Sequence, residues 1–150
     1  MGILGNCKTN DLFIEDTWNG AICDAMKPQE GDIFVKGKTG LDAFPGSELE
    51  QKLVENDIHT LAVGEFSSTS CEYALKLSII FTLSPYKAGF LTNCCVESTM
   101  RTAYEKGFNV IGLTDVSATT SSEGQKAATQ GTWNFFSTPM TKDEFLANFK

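Results

Sequence analysis

Short apolar runs alternate along this chain with segments whose apolar residues recur every three or four positions. The runs at residues 33–35, 58–63 and 110–113 predict buried strands. The helically spaced segments, each expected to bury one face, cover residues 17–26, 47–56, 96–107 and 141–149. Strands that alternate with helices indicate an α/β protein, with a three-layer α/β/α fold around a mostly parallel sheet.

Two of these helices are predicted to begin with a capping box, in which a hydroxyl residue and a glutamate three positions later cap each other. Ser47 and Glu50 form one box, and Thr141 and Glu144 form the other. The helix that begins at the Ser47 box is expected to end near Asn56 and to bury three side chains: Leu49, Leu53 and Val54. The last helix is expected to place Phe145 and Phe149 on one face.

The segment from Gly64 to Lys87 does not follow the alternation of strands and helices. It separates the strand that ends at Val63 from the small turn that such a strand should feed. A helix and an added edge strand both fit its apolar run at 73–83, which is too short to span a bilayer. We therefore expect one domain at residues 17–150 with an insertion at 64–87, preceded by an unassigned N-terminal segment at 1–16.

The composition narrows the class of function. The net charge of −7 disfavours binding to nucleic acid and to an anionic membrane surface, since no Lys/Arg cluster would neutralise phosphates. The five cysteines form no C-x-x-C pair and His59 is the one histidine, so no metal site is expected. The start of the chain carries no secretory signal pattern, and the thiols are interpreted as reduced, which favours a cytoplasmic location.

The strongest chemical signal is the adjacent thiol pair, Cys94 and Cys95. Small residues lead into the pair and helical spacing begins at Val96, so both thiols are expected at the N-terminus of a helix. The partial positive charge and the unpaired N–H groups of a helix start favour an anion, and a thiolate is such an anion. The same N–H groups can hold the oxyanion of a tetrahedral intermediate. The turn therefore predicts a nucleophilic cysteine.

Residues 89–99, the helix that follows them and the step Leu113-Thr114-Asp115 resemble the isochorismatase-like cysteine hydrolases. That superfamily includes nicotinamidases, N-carbamoylsarcosine amidases and ureidoacrylate amidohydrolases. Upstream, residues 36–44 resemble the family's lysine segment. The resemblance implies an isochorismatase-like, Rossmann-like fold and a hydrolase that attacks amides with an Asp–Lys–Cys triad. It further implies a small-molecule substrate, no cofactor and a homo-oligomer.

Matched to the family's motif, the nucleophile falls on Cys95. The lysine falls on Lys38, with Lys36 as the alternative. The backbone N–H groups of Leu91 and Cys95 correspond to the oxyanion hole of the family.

Two departures from the family's pattern bear on activity. Nothing in residues 1–16 matches the aspartate on the family's first strand, although Asp11 and Asp16 lie there, so that strand and that carboxylate are expected to be missing. Removing residues 64–87 leaves a continuous passage from strand to turn, as an in-frame insertion would. The chain is therefore either a cysteine amidohydrolase without the usual aspartate or a catalytically inactive truncated or splice-variant member that acts only through oligomerisation. A thiol-redox protein is the weakest alternative, because a disulfide between adjacent cysteines is strained.

Other polar and aromatic candidates have structural interpretations. Asp115 is expected to close a turn after its strand, and His59 is expected at the surface. Four aromatic residues are core candidates first: Trp18, Trp133, Phe135 and Phe136.

Overall fold

The structure is a computed structural model that describes residues 30, 32, 33, 35, 40–64, 79–80 and 91–148. The predicted helix at 17–26, the N-terminal segment 1–16 and most of the proposed insertion lie outside these residues. The domain boundaries and the missing first strand therefore stay predictions. None of the helices in the described ranges is long and apolar enough to cross a membrane.

The helices are α1 (Leu49–Glu55), α2 (Glu97–Glu105), α3 (Ser122–Thr129) and α4 (Lys142–Asn148). The strands are β1 (Thr60–Val63), β2 (Ile79–Ile80), β3 (Asn109–Leu113) and β4 (Thr138–Met140). A π-helical turn covers Thr92–Val96, and a 3₁₀ turn covers Thr132–Phe135.

A parallel sheet in the order β2-β1-β3-β4 forms the centre of the described residues. Strands β1 and β3 lie side by side, with Leu61 opposite Val110 and Val63 opposite Gly112. Strand β4 pairs with the other side of β3. Strand β2, which falls within the proposed insertion, pairs with the outer side of β1. Of the two alternatives for that segment, an edge strand is therefore what forms at residues 79–80.

The central strands are covered by helices on both faces, because successive side chains of a strand point to opposite sides. Leu61 and Val63 belong to a larger core with buried residues of α1, α2 and α3. Ala62 and Leu113 belong to a smaller core, which Phe145 of α4 covers. The predicted α/β fold, with helices on both faces of a parallel sheet, is confirmed.

Helix α4 begins with the predicted capping box. The Thr141 hydroxyl accepts the Glu144 N–H at 3.2 Å. In return, the Glu144 carboxylate accepts the Thr141 N–H at 2.7 Å and the Thr141 hydroxyl at 2.8 Å. Two N–H groups that the helix leaves unpaired are satisfied in this way.

The capping box predicted for α1 is wrong. The helix begins at Leu49, so Ser47 lies one residue too early to form the reciprocal pair. Its hydroxyl accepts the Leu49 N–H at 3.2 Å, whereas Glu50 forms an ion pair with Lys106 after α2, at 2.6 Å. A salt bridge to a neighbouring element has replaced the local contact that the sequence pattern suggested.

Two apolar side chains are more exposed to solvent than their sequence pattern predicted. Val54 is 69% exposed, because Leu49 and Leu53 share one face of α1 and the next residue is rotated by about 100° away from it. The strand predicted at 33–35 is not seen in its described residues: Ile33 is exposed, and Val35 is half-buried against the larger core without joining the sheet.

Candidate active site

The two cysteines lie in the π-helical turn that leads into α2. Leu91 precedes the turn in an extended conformation, and its carbonyl accepts the N–H groups of Cys94 at 2.9 Å and of Val96 at 3.4 Å. Asn93 departs from helical dihedral angles, with φ −91° and ψ 16°. Such widened turns are frequent at functional sites. The thiol pair therefore stands at the N-terminal end of α2, where the sequence predicted it.

The loop that follows β3 holds this turn in place. The buried Thr92 donates its N–H to the Ala118 carbonyl at 2.9 Å and its hydroxyl to Ser117 at 3.1 Å. The Asn93 side-chain oxygen accepts the Thr119 hydroxyl at 2.7 Å. Because this loop begins where β3 ends, the cysteine turn lies at the carboxyl end of that strand, where open α/β sheets place their ligands.

Cys94 and Cys95 are free, half-buried thiols. Burial raises the pKa of the Cys94 thiol, and the charge and hydrogen bond of the adjacent Cys95 thiol raise it further. Cys94 therefore keeps its proton at neutral pH, which makes it a poor nucleophile.

The backbone around Cys95 is partly engaged. Its carbonyl accepts the hydroxyl of the fully buried Thr99 at 2.9 Å. Among the described residues, the N–H groups of Leu91 and Cys95 donate to no acceptor outside residues 91–96. An oxyanion hole needs N–H groups that are free to donate to the substrate, so the predicted donor pair stays a hypothesis.

The chain that follows the predicted lysine segment docks on α2. The Ala43 N–H donates to the Thr99 hydroxyl at 3.1 Å. The Asp42 carboxylate accepts the Thr102 hydroxyl through one oxygen and the Phe44 N–H, at 2.9 Å, through the other. Residues 42–44 are thereby fixed against the helix that carries the cysteine turn at its start.

Both candidates for the catalytic lysine, Lys38 and Lys36, lie outside the described ranges, so the role of the lysine stays a prediction. Asp11 and Asp16, which do not match the family's aspartate, lie outside these ranges as well. Asp115 accepts the Lys142 N–H at 2.8 Å and so caps the start of α4, in keeping with its structural interpretation. His59 is exposed and pairs with Asp57 at 3.0 Å.

Of the four aromatic candidates, Trp18 lies outside the described residues, and the other three divide between core and surface. Trp133 and Phe136 are buried as predicted, but Phe135 is 80% exposed. A 3₁₀ turn has three residues per turn, so positions 133 and 136 share its inner side and position 135 faces solvent.

Within the described residues, neither a carboxylate partner for Cys94 nor a metal site is found. No carboxylate in these ranges contributes to the environment of Cys94, whose pKa depends on burial and Cys95 alone. No group of three or more His, Cys, Asp or Glu side chains in the same ranges could hold a metal ion.

Sequence reasoning missed the hydroxyl groups that hold the cysteine turn, those of Thr92, Thr99 and Ser117. Thr99 lies within the helically spaced segment at 96–107, where the pattern assigns it no role of its own. A threonine at a position that the period assigns to the core is the one signal that could have identified it, since a buried hydroxyl needs a partner.

Comparison with known proteins supports the resemblance to isochorismatase-like hydrolases. The family model described as "Isochorismatase domain" matches residues 84–144, which overlaps the last four positions of the proposed insertion. The chain is 30% identical over 133 residues to the ureidoacrylate amidohydrolase of Variovorax paradoxus, covering 88% of this chain and 43% of that protein. It is 28% identical over 130 residues to an uncharacterized isochorismatase family protein of Bacillus subtilis, covering 85% of this chain and 68% of that protein.

The fold is similar to that of a solved structure. The structure of an isochorismatase-like hydrolase from Alkaliphilus metalliredigens superposes with a TM-score of 0.68 at 22% identity, covering 91% of this chain and 62% of the other. By length, the chain spans less than half of the Variovorax paradoxus amidohydrolase that it matches.

Proposed function

We propose that the chain, which is similar to isochorismatase-family proteins, is a cysteine hydrolase of that superfamily and acts on a small amide-type substrate. Cys95 is the proposed nucleophile, and Lys38 is the proposed residue that holds its charge. The observation that carries the proposal is the position of Cys95 in a π-helical turn at the N-terminal end of α2, beside a thiol that keeps its proton.

In the proposed reaction the Cys95 thiolate attacks the substrate carbonyl, and the N–H groups of Leu91 and Cys95 hold the oxyanion that forms. The amine or ammonia then leaves with a proton, and a thioester to Cys95 remains. Water hydrolyses this thioester to a carboxylic acid and restores the thiol. The family's aspartate, which would take up the thiol proton, has no assigned residue here. Without a proton acceptor the acid–base steps are expected to be slower by about 10²- to 10⁴-fold.

The amide class of substrate is supported by the similarity to a ureidoacrylate amidohydrolase. That similarity covers 43% of the relative, so the substrate remains part of the proposal. A cytoplasmic location belongs to it as well, because the mechanism needs a reduced thiol.

The test compares the wild-type chain with Cys95→Ala and with the matched control Cys94→Ser. Ammonia release is measured with ureidoacrylate and with nicotinamide as probes, and the rate of iodoacetamide labelling is measured for each thiol by peptide mass spectrometry. We expect Cys95 to label faster than Cys94 and at least one probe to release ammonia. Cys95→Ala should abolish the release, and Cys94→Ser should retain it.

Equal labelling of all thiols together with no ammonia release would contradict the proposal. Selective labelling of Cys95 without turnover of either probe would support a second candidate, an inactive family member that acts only through oligomerisation. The feature that favours this candidate is in the sequence, where nothing in residues 1–16 matches the family's aspartate. Light scattering would then have to show a homo-oligomer.

A further inference from the structure

The hydroxyl of Thr99 joins two parts of the chain that are far apart in sequence. It donates to the Cys95 carbonyl at 2.9 Å and accepts the Ala43 N–H, 56 residues away in sequence, at 3.1 Å. The side chain is fully buried, so both bonds are protected from water. A threonine in a helix often returns its hydroxyl to the carbonyl four residues earlier. Thr99 uses the same oxygen to hold a second backbone segment.

The residues held in this way lie a few positions after the predicted lysine. Ala43 lies five positions after Lys38, and its neighbour Asp42 is held to the same helix by the Thr102 hydroxyl. Positions 99 and 102 share one face of α2, as residues three apart do. The structure therefore ties the end of the lysine segment to the helix at its cysteine end.

We propose that Thr99 is a positioning residue that fixes the backbone at Ala43, five positions after the predicted lysine, relative to Cys95, an inference that rests on the proposed function. In that function the ammonium group of Lys38 must lie beside the sulfur. Displacement of a catalytic group by about 1 Å can cost about 10²-fold in rate. A direct link from the Cys95 carbonyl through one hydroxyl to residue 43 limits such displacement.

The substitution Thr99→Val tests this link because it keeps the shape of the side chain and removes the hydroxyl. The measured quantity is the rate at which iodoacetamide labels Cys95 in the full chain at neutral pH. We expect Thr99→Val to slow this labelling by about tenfold, within the range that displacement of a catalytic group produces. Thr99→Ser, which keeps the hydroxyl, should restore most of the rate.

Thr129→Val is the matched control. Thr129 is buried in α3 and donates its hydroxyl to the Gln125 carbonyl four residues earlier, as Thr99 does to Cys95. Its hydroxyl holds no second segment among the described residues. Thr129→Val should therefore lower thermal stability to a similar extent and leave the labelling of Cys95 at the wild-type rate.

A double-mutant cycle with Lys38→Met separates positioning from a general loss of structure. If Thr99 acts through Lys38, Thr99→Val slows labelling in the wild-type background but not in the Lys38→Met background. Equal slowing in both backgrounds, or a wild-type rate in Thr99→Val, would overturn the inference. If Thr99→Val does not fold, Thr99→Ala takes its place in the cycle. Failure of the proposed function would be seen separately, as wild-type Cys95 labelling no faster than Cys94.

Discussion

At the scale of single residues, the thiol of Cys94 is affected by the thiol that follows it in the chain. Burial and the adjacent Cys95 thiol both disfavour the thiolate form of Cys94, so they favour its neutral form. Cys95 carries the carbonyl that Thr99 binds and directly precedes the last residue of the π-helical turn. The family motif assigns the nucleophile to this second position, and the raised pKa of Cys94 is consistent with that assignment.

The substitution Cys95→Ala is expected to lower the pKa of Cys94. The neighbouring charge and hydrogen bond that raise this pKa are then lost, and burial alone remains. A thiol reacts as its thiolate, so the rate at which iodoacetamide labels Cys94 should rise at a lower pH in the variant than in the wild type. Labelling of the Cys94 peptide across a pH series measures this shift. A profile that is unchanged or moved to higher pH would show that Cys95 does not influence Cys94.

At the scale of single elements, the sequence identified local patterns well and contacts between elements poorly. The capping box at Thr141 and Glu144 is satisfied by residues three apart, so the sequence alone sufficed. The box at Ser47 failed because Glu50 has a better partner in Lys106, which is 56 residues away. The link between Ala43 and Thr99 spans the same distance and leaves no local pattern. The cysteine turn was therefore predictable, and the hydroxyl groups that fix it were not.

The capping box gives a prediction at the start of α4. Thr141→Ala should lower the free energy of unfolding by about 1 kcal/mol at neutral pH, because it removes the hydroxyl that caps the helix. Hydrogen bonds from the Thr141 backbone and hydroxyl lower the pKa of Glu144 from its ordinary value of 4.5. The stability that Glu144 contributes is therefore complete above that value and is lost as the pH falls through the lowered pKa.

Denaturant unfolding at neutral pH and at about pH 3 checks this prediction, with a smaller penalty expected in acid. Thr120→Ala is the matched control, since Thr120 is exposed and makes no side-chain hydrogen bond within the described ranges. An equal penalty at both pH values would mean that the glutamate takes no part in the cap.

For the molecule as a whole, the alternation of strands and helices was enough to predict the α/β class. It did not predict that residues 79–80 would pair with the outer side of β1, because two apolar residues carry no period that distinguishes a strand from a helix. The alternation also did not predict how closely the helical layer approaches the sheet. That distance depends on a glycine in β3, where the side chains of two helical elements meet the sheet.

Gly112 lets Trp133 and Met100 pack directly on β3, and its replacement by alanine tests how tightly the layers fit. A Cβ atom there would lie 2.6 Å from the Trp133 ring and 2.8 Å from the Met100 methyl group. Both side chains are fully buried, and the Trp133 indole nitrogen has no hydrogen-bond partner in the described residues, so packing alone fixes the ring. Gly112→Ala should therefore lower the free energy of unfolding by about 1–3 kcal/mol in denaturant titrations. Gly40→Ala is the control, because nothing lies within 4 Å of its added Cβ, and it should change stability little. If the two substitutions had the same small effect, the ring would be free to move and the helical layer would not be locked against the sheet at this point.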